Sequence, residues 1–245
     1  MFKISIVTVC FNSAKTIQKC ISSVKKQKDV NVEYIFIDGG SSDLTVEIIK
    51  SNDCAAKIVS EQDDGIYHAM NKGLNLATGD FVVFLNSDDY FASEDVLSKI
   101  ISEIDVARGI DAIFADIEIL SVQGDGLKRR YYSSQWFKPW MLRFGIAPPH
   151  PGAIFKRIVL KDLGGFNPEY KIAGDYDLIS RAFQKNINYQ LSSVVLTYMK
   201  SGGISSLGFR SYVKSTKELM LSCGAQGFAL PWLVFFRLPF KYFIR

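Results

Sequence analysis

The nine residues Phe81-Val82-Val83-Phe84-Leu85-Asn86-Ser87-Asp88-Asp89 decide the fold prediction. Their apolar half is a short run of Val, Phe and Leu, which is typical of a strand buried on both faces of a parallel sheet. An open parallel sheet binds its ligand at the carboxyl ends of its strands, so Asp88 and Asp89 are expected at such a site. Adjacent carboxylates repel each other unless a cation or a proton intervenes, and hard oxygen ligands suit Mg²⁺ or Mn²⁺. The alternative is an acidic turn that caps the next helix.

The chain before this stretch alternates between short apolar runs and amphipathic segments. Asn12 and Ser13 are predicted to cap the first helix, Asp43 the second, and Thr78-Gly79 to close the third. This alternation is the signature of a doubly wound parallel sheet, so we expect an α/β fold. The predicted strands are 4–11, 32–37, 56–60 and the run from 81, and the predicted helices end at about 26, 50 and 77.

Acidic residues follow three of these four strands. Asp38, Asp63 and Asp88 each lie in a loop at the edge where the strands end. Helix capping explains one acid in a loop, but it explains all three poorly. We therefore interpret these loops as a functional site in preference to simple caps.

The pattern changes after Asp89. A helix is expected from Ser93 to about Ala107, followed by a strand at 111–119 and a hairpin turn at 124–126 that returns through 128–132. We place a soft boundary near Ala107, so that residues 1–107 and 108–215 form two halves of one domain.

The composition limits the class of protein. The chain has 245 residues and a formal charge of +4, which does not indicate nucleic-acid binding. Its four cysteines are scattered without a CxxC pair, which argues against a zinc site and favours a reducing cytosol. We expect neither a signal peptide nor a membrane-spanning helix, because no apolar run approaches about 18 residues.

Two common nucleotide-binding motifs are absent from the sequence. No GxGxxG follows the first strand and no GxxxxGK[ST] occurs, which argues against a dinucleotide fold and a Walker-type ATPase. Acidic loops without a glycine-rich phosphate cradle suggest that a metal ion holds the phosphates.

His150 lies in a proline-rich loop, Pro148-Pro149-His150-Pro151-Gly152. Three prolines would hold the ring still, so a site residue and a structural histidine are equally good interpretations. His68 lies inside a predicted helix, and we interpret it as a solvent or interface residue.

Asp175 and Asp177 fall in the first turn of a predicted helix that reaches about Gln184. Acids there can simply complement the helix dipole. Alternatively, one is a general base whose pKa the dipole lowers, so that it stays ionised.

Taken in order, these loops resemble family 2 of the nucleotide-sugar glycosyltransferases, which have the GT-A fold. The similarity covers roughly residues 1–200 and is greatest to the branch that builds bacterial capsule, colanic-acid and O-antigen repeat units. The segments that carry it are TVCFNS at 8–13, DGGSSD at 38–43, EQDDGIYHAMNKG at 61–73, FLNSDD at 84–89 and GGF with AGDYDL between 164 and 178.

The resemblance implies a role for each matching residue. Asp88 is the expected contact of Mg²⁺ or Mn²⁺, and Asp175 is the expected catalytic base of an inverting transfer. His150 and Asp177 are expected near the donor sugar or the acceptor. The predicted nucleotide-sugar-binding residues are Thr8, Phe11, Asn12, Asp38, Asp63, Asn71, Lys72, Asn86 and Ser87.

Some positions depart from the family pattern. Asn86 replaces the first Asp of the DxD motif, and an amide oxygen ligates a metal ion with less charge. Gly174 stands where many relatives have an acid, Met70 where others have Arg, and His68 where this branch often has Asp. Asp88 and Asp175 are both present, so we expect activity.

The last segment, 216–245, is predicted to form basic amphipathic helices. Arg237, Lys241 and Arg245 recur every four residues and would share one helix face. Such a segment can lie in a membrane interface, or it can pack on the enzyme or a second subunit. Because the resembling branch uses lipid-linked acceptors, we expect a cytoplasmic protein that is peripheral on the inner face of the plasma membrane.

Two other functions stay open from the sequence. One is a metal-dependent sugar nucleotidyltransferase, although the glycine- and Arg/Lys-rich N-terminal loop that such enzymes need is absent. The other is a nucleotide-sugar-binding scaffold without turnover.

Overall fold

The structure, a computed structural model, describes residues 2–54, 57–104, 109–123, 126–201, 208–228, 232 and 234. The strands are β1 (Lys3–Cys10), β2 (Asn31–Asp38), β3 (Lys57–Ser60), β4 (Phe81–Phe84), β5 (Tyr90–Phe91), β6 (Ala112–Gln123), β7 (Gly126–Tyr132), β8 (Ala153–Lys156) and β9 (Tyr189–Lys200). The α-helices are α1 (Ile17–Lys25), α2 (Thr45–Ser51), α3 (Ile66–Leu76), α4 (Val96–Ser102), α5 (Arg157–Asp162), α6 (Gly174–Gln184) and α7 (Gly208–Ala225).

The nine strands of the described residues belong to one mixed, mostly parallel sheet. Its order is β3-β2-β1-β4-β8-β6-β9-β5, and β7 pairs with β6 outside this path. The pairs among β3, β2, β1 and β4 are parallel, so their carboxyl ends meet at one edge, as the sequence predicted. The loops that carry Asp38, Asp63 and Asp88 therefore lie along that edge.

An antiparallel pair joins the two halves of the chain. Strand β4 pairs with β8, with Phe81 opposite Lys156 and Val83 opposite Ile154. The sheet thus runs without interruption across the boundary predicted near Ala107. Residues 105–108, where that boundary falls, lie outside the described part of the chain.

Alternation along the buried strands fills two cores, one on each face of the sheet. In β1, Ile4 and Ile6 face the layer built by α1, α2 and α4, whereas Val7 and Val9 face α3, α5, α6 and α7. Both faces are apolar because both are covered by helices, which explains the continuous apolar runs in the sequence.

Two helix ends differ from the prediction. Helix α1 starts at Ile17, because the Ser13 carbonyl first accepts turn hydrogen bonds from Thr16 and Ile17. Helix α3 ends at Leu76, so Gly79 does not close it. A Cβ at Gly79 would lie 2.7 Å from the Ser5 nitrogen, and close backbone approach is therefore what requires this glycine.

The predicted helix after Asp89 is shorter than expected. Helix α4 covers Val96–Ser102, and Ser93 donates a hydrogen bond to Asp95, the residue at the cap position, at 2.6 Å. The hairpin return is confirmed by β7, while residues 124–125 of its turn lie outside the description.

Strands β5, β8 and β9, helix α5 and the first part of helix α7 were not predicted. Helix α7 begins eight residues before the predicted tail boundary at 216, and its Leu219 and Cys223 are buried in the same core as α6. Residues 229–231, 233 and 235–245 of the predicted tail lie outside the described part of the chain. None of the described helices is both long enough and apolar enough to cross a membrane.

Candidate active site

The loops after β1 and β2 are tied together at the sheet edge. Asn12 has a φ of 48°, a left-handed conformation that asparagine tolerates. Its side-chain oxygen accepts the Ser42 N–H at 2.9 Å, and its own N–H donates to the Ser41 hydroxyl at 2.7 Å. This leaves the Phe11 ring 63% exposed at the carboxyl end of β1. An exposed aromatic ring on a loop held by hydrogen bonds is suited to stack on a planar ligand.

The Asp38 carboxylate organises the same edge. It accepts the Ser41 N–H at 3.0 Å, the Ser60 hydroxyl at 2.6 Å and the Ser41 hydroxyl. Burial by itself would raise the pKa of Asp38, but the hydrogen bonds from Ser41 and Ser60 lower it below its usual value. An ionised Asp38 thus fixes the loop beside the end of β3, and its predicted ligand contact stays a prediction.

Thr8 does not reach the surface. Its side chain is fully buried, and its hydroxyl lies 3.3 Å from the Tyr34 hydroxyl and 3.8 Å from the Cys20 sulfur. It points to the α1 face because it alternates with Val7 and Val9 along β1. The prediction that Thr8 lines a nucleoside pocket is therefore not supported by this geometry.

Asp63 lies in a charged cluster after β3. The Lys72 ammonium lies 2.8 Å from the Asp63 carboxylate and 2.5 Å from the Glu61 carboxylate. The His68 ring nitrogen lies 3.1 Å from Asp63. The His68 ring therefore contacts the acidic loop directly and is not merely a solvent residue. The cluster holds the loop at 61–65 against α3.

Asn71 joins the two halves of the chain. Its amide donates to the Phe166 carbonyl, and its oxygen accepts the Phe166 N–H, both at 2.8 Å. A Cβ at Gly165, which has a φ of 69°, would lie 2.5 Å from the Asn71 oxygen, so only glycine fits there. These contacts give Asn71 a structural role, and its predicted nucleotide contact remains untested.

The turn after β4 carries the residues at the DxD position. The Ser87 hydroxyl lies 2.8 Å from that of Ser13, and the Asn86 amide donates to Asp89 at 3.1 Å. Asp89 also accepts the Lys200 N–H at 3.0 Å, which ties the turn to the end of β9. Burial and the nearby Asp88 charge raise the pKa of Asp89 to about 7. The partly exposed Asp88 carboxylate accepts no hydrogen bond from the described residues.

This turn offers the donor set that a hard divalent cation requires. Asp88 has a free carboxylate, and the Asn86 side-chain oxygen is buried without a hydrogen-bond partner. Oxygen atoms of both kinds are usual ligands of Mg²⁺ and Mn²⁺. The described residues contain no group of three or more His, Cys, Asp or Glu side chains placed to bind a metal ion by themselves. Such a site would be completed by ligand phosphates and water.

His150 is buried between aromatic rings. Its ring centroid lies 5.7 Å from that of Phe84 and 5.5 Å from that of Phe166. Neither ring nitrogen has a hydrogen-bond partner among the described residues. Burial lowers the pKa of His150 to about 4, so the ring is neutral at neutral pH.

Asp175 lies in the first turn of α6, beside α3. Burial raises its pKa to about 6, although the neighbouring backbone N–H groups act in the opposite direction. The expectation that the helix dipole lowers this pKa is therefore wrong, because removal from water outweighs the dipole. A carboxylate with a pKa near 6 is a better general base than an ordinary aspartate.

Asp177 serves the structure of the helix instead. It is 3% exposed, accepts a hydrogen bond from Arg181 at 2.8 Å and accepts the Ser222 hydroxyl at 3.0 Å. Both carboxylate oxygens are thus occupied between α6 and α7. The expected contact of Asp177 with a sugar is not supported.

Buried polar atoms without a partner concentrate at the predicted site. Among the described residues, five carry such an atom, and Asp63, Asn86 and His150 are three of the five. Buried polar groups in folded proteins are nearly always hydrogen-bonded, so each exception needs an explanation. The three residues lie in the loops that the sequence predicted to form the site.

Sequence reasoning missed the segment just before α6. The Tyr67 hydroxyl donates to the Ile172 carbonyl, and the Lys171 ammonium donates to the Asp64 carbonyl, both at 2.8 Å. These bonds link the loop of Asp63 to the loop of Asp175. No local sequence pattern predicts these two hydrogen bonds, because their partners are about a hundred residues apart in the chain.

Comparison with known proteins identifies the class. The sequence model of the family described as Glycosyl transferase family 2 matches residues 5–149. This match covers more than half of the chain, and the protein therefore belongs to glycosyl transferase family 2. A PGL/p-HBAD biosynthesis glycosyltransferase of Mycobacterium tuberculosis is 27% identical over 215 residues, which are 84% of this chain and 79% of the relative.

Solved structures show which fold the chain has. TarS of S. aureus in complex with UDP-GlcNAc superposes with a TM-score of 0.69 at 21% identity, over 90% of this chain and 66% of that chain. A mannosyltransferase of Pyrobaculum calidifontis in complex with GDP-Man and Mn²⁺ gives 0.66 at 19% identity, over 91% and 63%. The fold is thus the GT-A fold, and this chain spans about two thirds of either solved chain.

Proposed function

We propose that this protein transfers a sugar from a nucleoside-diphosphate sugar to an acceptor hydroxyl with inversion of the anomeric configuration. The observation that carries the proposal is the placement of Asp175, a carboxylate with a raised pKa in the turn that faces the donor half. Family membership makes the chain a glycosyltransferase, and Asp175 supplies the group that a single displacement needs.

The donor would lie across the carboxyl ends of β1 to β4. Phe11 offers an exposed ring for the base, and Asp63 offers an unpartnered oxygen close by on the same edge. Lys72, held by Asp63 and Glu61, supplies a cation to this rim. Two solved proteins of this fold are described with UDP-GlcNAc and GDP-Man, which supports a nucleotide sugar as the donor class.

Asp88 and Asn86 would hold Mg²⁺ or Mn²⁺ together with the donor diphosphate. A bound divalent cation there supplies Lewis-acid stabilisation of the leaving nucleotide. The Asn86 amide would keep its hydrogen bond to Asp89, so only its oxygen is available to a ligand. A neutral asparagine in place of an aspartate weakens metal binding when no donor is bound.

Asp175 would take the proton of the acceptor hydroxyl during its attack on the anomeric carbon. The bond from that hydroxyl oxygen to the sugar forms while the bond from the sugar to the nucleotide phosphate breaks. Neutral His150, with two free ring nitrogens, can accept or donate one hydrogen bond to a sugar hydroxyl without adding charge. Its ring lies between Phe84 and Phe166.

The acceptor side of the proposal is a lipid-linked saccharide of a bacterial surface polysaccharide such as capsule or O-antigen. The predicted tail at 228–245 is one candidate membrane contact. A second is the exposed surface around a 3₁₀ helix at Pro139–Phe144, where Trp136, Trp140, Lys138 and Arg143 face solvent. Tryptophan and basic residues together favour a membrane interface.

Vesicle binding separates these two surfaces. The triple variant Arg237→Ser/Lys241→Ser/Arg245→Ser, which keeps the buried Val234, and the double variant Trp136→Ala/Trp140→Ala would be compared in sedimentation with anionic vesicles. Loss of binding in one variant alone assigns the contact to that segment. Wild-type protein that stays in the supernatant overturns the membrane proposal.

A donor screen tests the function itself. The melting temperature would be measured with UDP-, GDP- and dTDP-sugars, each with and without Mn²⁺, because a ligand of the native state raises it. Donor hydrolysis and transfer would then be followed by NMR, which also reads the anomeric configuration of the product. Asp175→Asn should bind the donor and lose turnover, while Asp162→Asn, at an exposed aspartate, should keep both.

Three outcomes contradict the proposal. If the product retains the anomeric configuration of the donor, a single displacement is excluded. If Asp175→Asn has the turnover of the wild type, Asp175 is not the base. Donor binding without any hydrolysis or transfer favours the scaffold alternative. Membership of glycosyl transferase family 2 already disfavours the nucleotidyltransferase alternative.

A further inference from the structure

A buried glutamate of α7 binds the segment that leads into α6. Glu218 is 9% exposed, and its carboxylate accepts the N–H groups of Lys171, Ile172 and Ala173 at 2.8 to 3.2 Å. Three successive backbone N–H groups that converge on one anion form a nest. Hydrogen bonds to an ionised acceptor are about twice as strong as neutral ones.

The nest lies directly before the proposed base. Ala173 is the residue at the amino-terminal cap of α6, and its carbonyl accepts the Asp177 N–H at 2.9 Å. Asp175 is two residues further along this turn. The orientation of the Asp175 carboxylate is therefore determined by where the segment Lys171–Ala173 is held.

The same segment is held from its opposite side by the donor half. Tyr67 donates to the Ile172 carbonyl and Lys171 donates to the Asp64 carbonyl. A Cβ at Gly174 would lie 2.6 Å from the Tyr67 ring, so the backbone packs closely on α3. The segment Lys171–Ala173 is thus held by Glu218 on one side and by Tyr67 and the loop of the predicted nucleotide site on the other.

We propose that Glu218 is a positioning residue for the transfer reaction: its charge holds Lys171–Ala173 so that Asp175 faces the acceptor hydroxyl. This inference rests on the proposed function. Helix α7 lies beyond the residues that match the family model. The inference gives this helix a role in positioning the catalytic base. Glu218 itself touches no substrate.

Glu218→Gln tests the role of the charge. The glutamine side chain has the same size as that of glutamate, but it has no charge. Its NH₂ group is a donor, so it cannot accept hydrogen bonds from the backbone N–H groups of the nest. We expect kcat to fall about 100-fold, the loss typical of a misplacement of about 1 Å, with an unchanged KM for the donor. Removal of the buried negative charge should also move the acid limb of kcat to lower pH, because Glu218 contributes to the raised pKa of Asp175.

Glu218→Asp serves as a second variant if the first does not fold. It keeps the charge and shifts the nest by one methylene group, so kcat should fall less and the acid limb should stay in place. The exposed Glu169, four residues before Ala173, gives the control Glu169→Gln, which should match the wild type. Hydrogen exchange of amides 171–173 should be slow in wild type and fast in Glu218→Gln.

The outcomes separate this inference from the function on which it rests. A wild-type protein that transfers no sugar overturns the proposed function, whatever the glutamate does. A wild type that transfers sugar, with kcat, acid limb and amide protection unchanged in Glu218→Gln, overturns the positioning role alone. The positioning role is also overturned if kcat falls equally in Glu218→Gln and Glu218→Asp and the acid limb of Glu218→Gln does not move. That result would indicate only lost packing.

Discussion

The hydroxyl of Tyr67 on α3 donates a hydrogen bond to the backbone carbonyl of Ile172, which lies 2.8 Å away and 105 residues further along the chain. This bond connects the helix that follows the nucleotide-side loop to the segment before the proposed base. The ring of Tyr67 also stacks on Phe166, with centroids 5.4 Å apart. The two halves of the site therefore share one buried tyrosine.

Tyr67→Phe should lower both stability and turnover. The partly buried Ile172 carbonyl loses its partner, which costs about 1 kcal/mol in the free energy of unfolding. The loosened segment should reduce kcat more than KM for the donor. Urea unfolding and initial rates measure the two effects. Tyr198→Phe is the control, since the Tyr198 hydroxyl makes no hydrogen bond with the described residues, and equal behaviour of the two variants would contradict the role of Tyr67.

Asp175→Asn should stabilise the protein while it abolishes transfer. The pKa of Asp175 is raised to about 6, so its protonated form is preferred in the folded state. Its contribution to stability is complete below pH 4 and is lost as pH rises through 6. At pH 7.5 the free energy of unfolding of the variant should therefore be about 1–3 kcal/mol larger than that of the wild type. Near pH 4 the two values should be equal. A constant difference across this range would contradict the raised pKa.

The kcat of the wild-type enzyme should have an acid limb near pH 6. The base must be ionised to accept a proton, and activity should fall tenfold for each pH unit below its pKa. Initial rates between pH 4.5 and 8.5 with saturating donor measure this limb. A limb near pH 4 would indicate an ordinary aspartate in the complex.

Phe11→Ala should weaken nucleotide binding with little effect on stability. The ring is 63% exposed, so its removal uncovers no core, but a base stacked on it would lose about tenfold in affinity. Calorimetric titration with UDP, GDP and dTDP measures the change. Trp136→Ala removes a ring that is 68% exposed elsewhere and should leave nucleotide affinity unchanged. A similar loss in both variants would argue against a specific contact.

Asp88→Asn should remove the effect of Mn²⁺ on nucleotide binding. Only the Asp88 carboxylate in this turn is both charged and free of hydrogen bonds to described residues. The rise in melting temperature with nucleotide should become the same with and without Mn²⁺. Asp29→Asn is a suitable control, because Asp29 is exposed and its φ of 53° is acceptable to asparagine. A persistent Mn²⁺ effect in Asp88→Asn would place the metal elsewhere.

Part of this architecture could be predicted from the sequence alone. The alternation of apolar runs and amphipathic segments specified β1 to β4 and their helices, since each element buries its own local face. The acidic loops followed from this, because parallel strands end at one edge. Strand β9 was missed although it contains the run Val194-Val195-Leu196-Thr197-Tyr198, which has high strand propensity. Strand β8 was missed because it is short and directly follows a proline-rich loop.

The roles of individual polar residues were harder to predict than the elements that carry them. Asp175 and Asp177 occupy the same helical turn, yet one has a raised pKa and the other is paired with Arg181 and Ser222. Arg181 lies on the same helix as Asp177, whereas Ser222 and Glu218 belong to α7, whose position no local pattern indicates. The burial of Thr8 was equally beyond local patterns, because the exposure of a strand face depends on which helices cover it.

The sequence by itself determined the order of β1 to β4 with the helices between them, the sheet edge at which the acidic loops meet, and the family. These follow from local periodicity and from short motifs, which act over a few residues at a time. Only the tertiary structure decided which carboxylate has a raised pKa, which is paired, and that Glu218 and Tyr67 hold the segment before Asp175 from opposite sides. Burial and partner choice depend on residues that are distant in the chain, and packing alone brings them together.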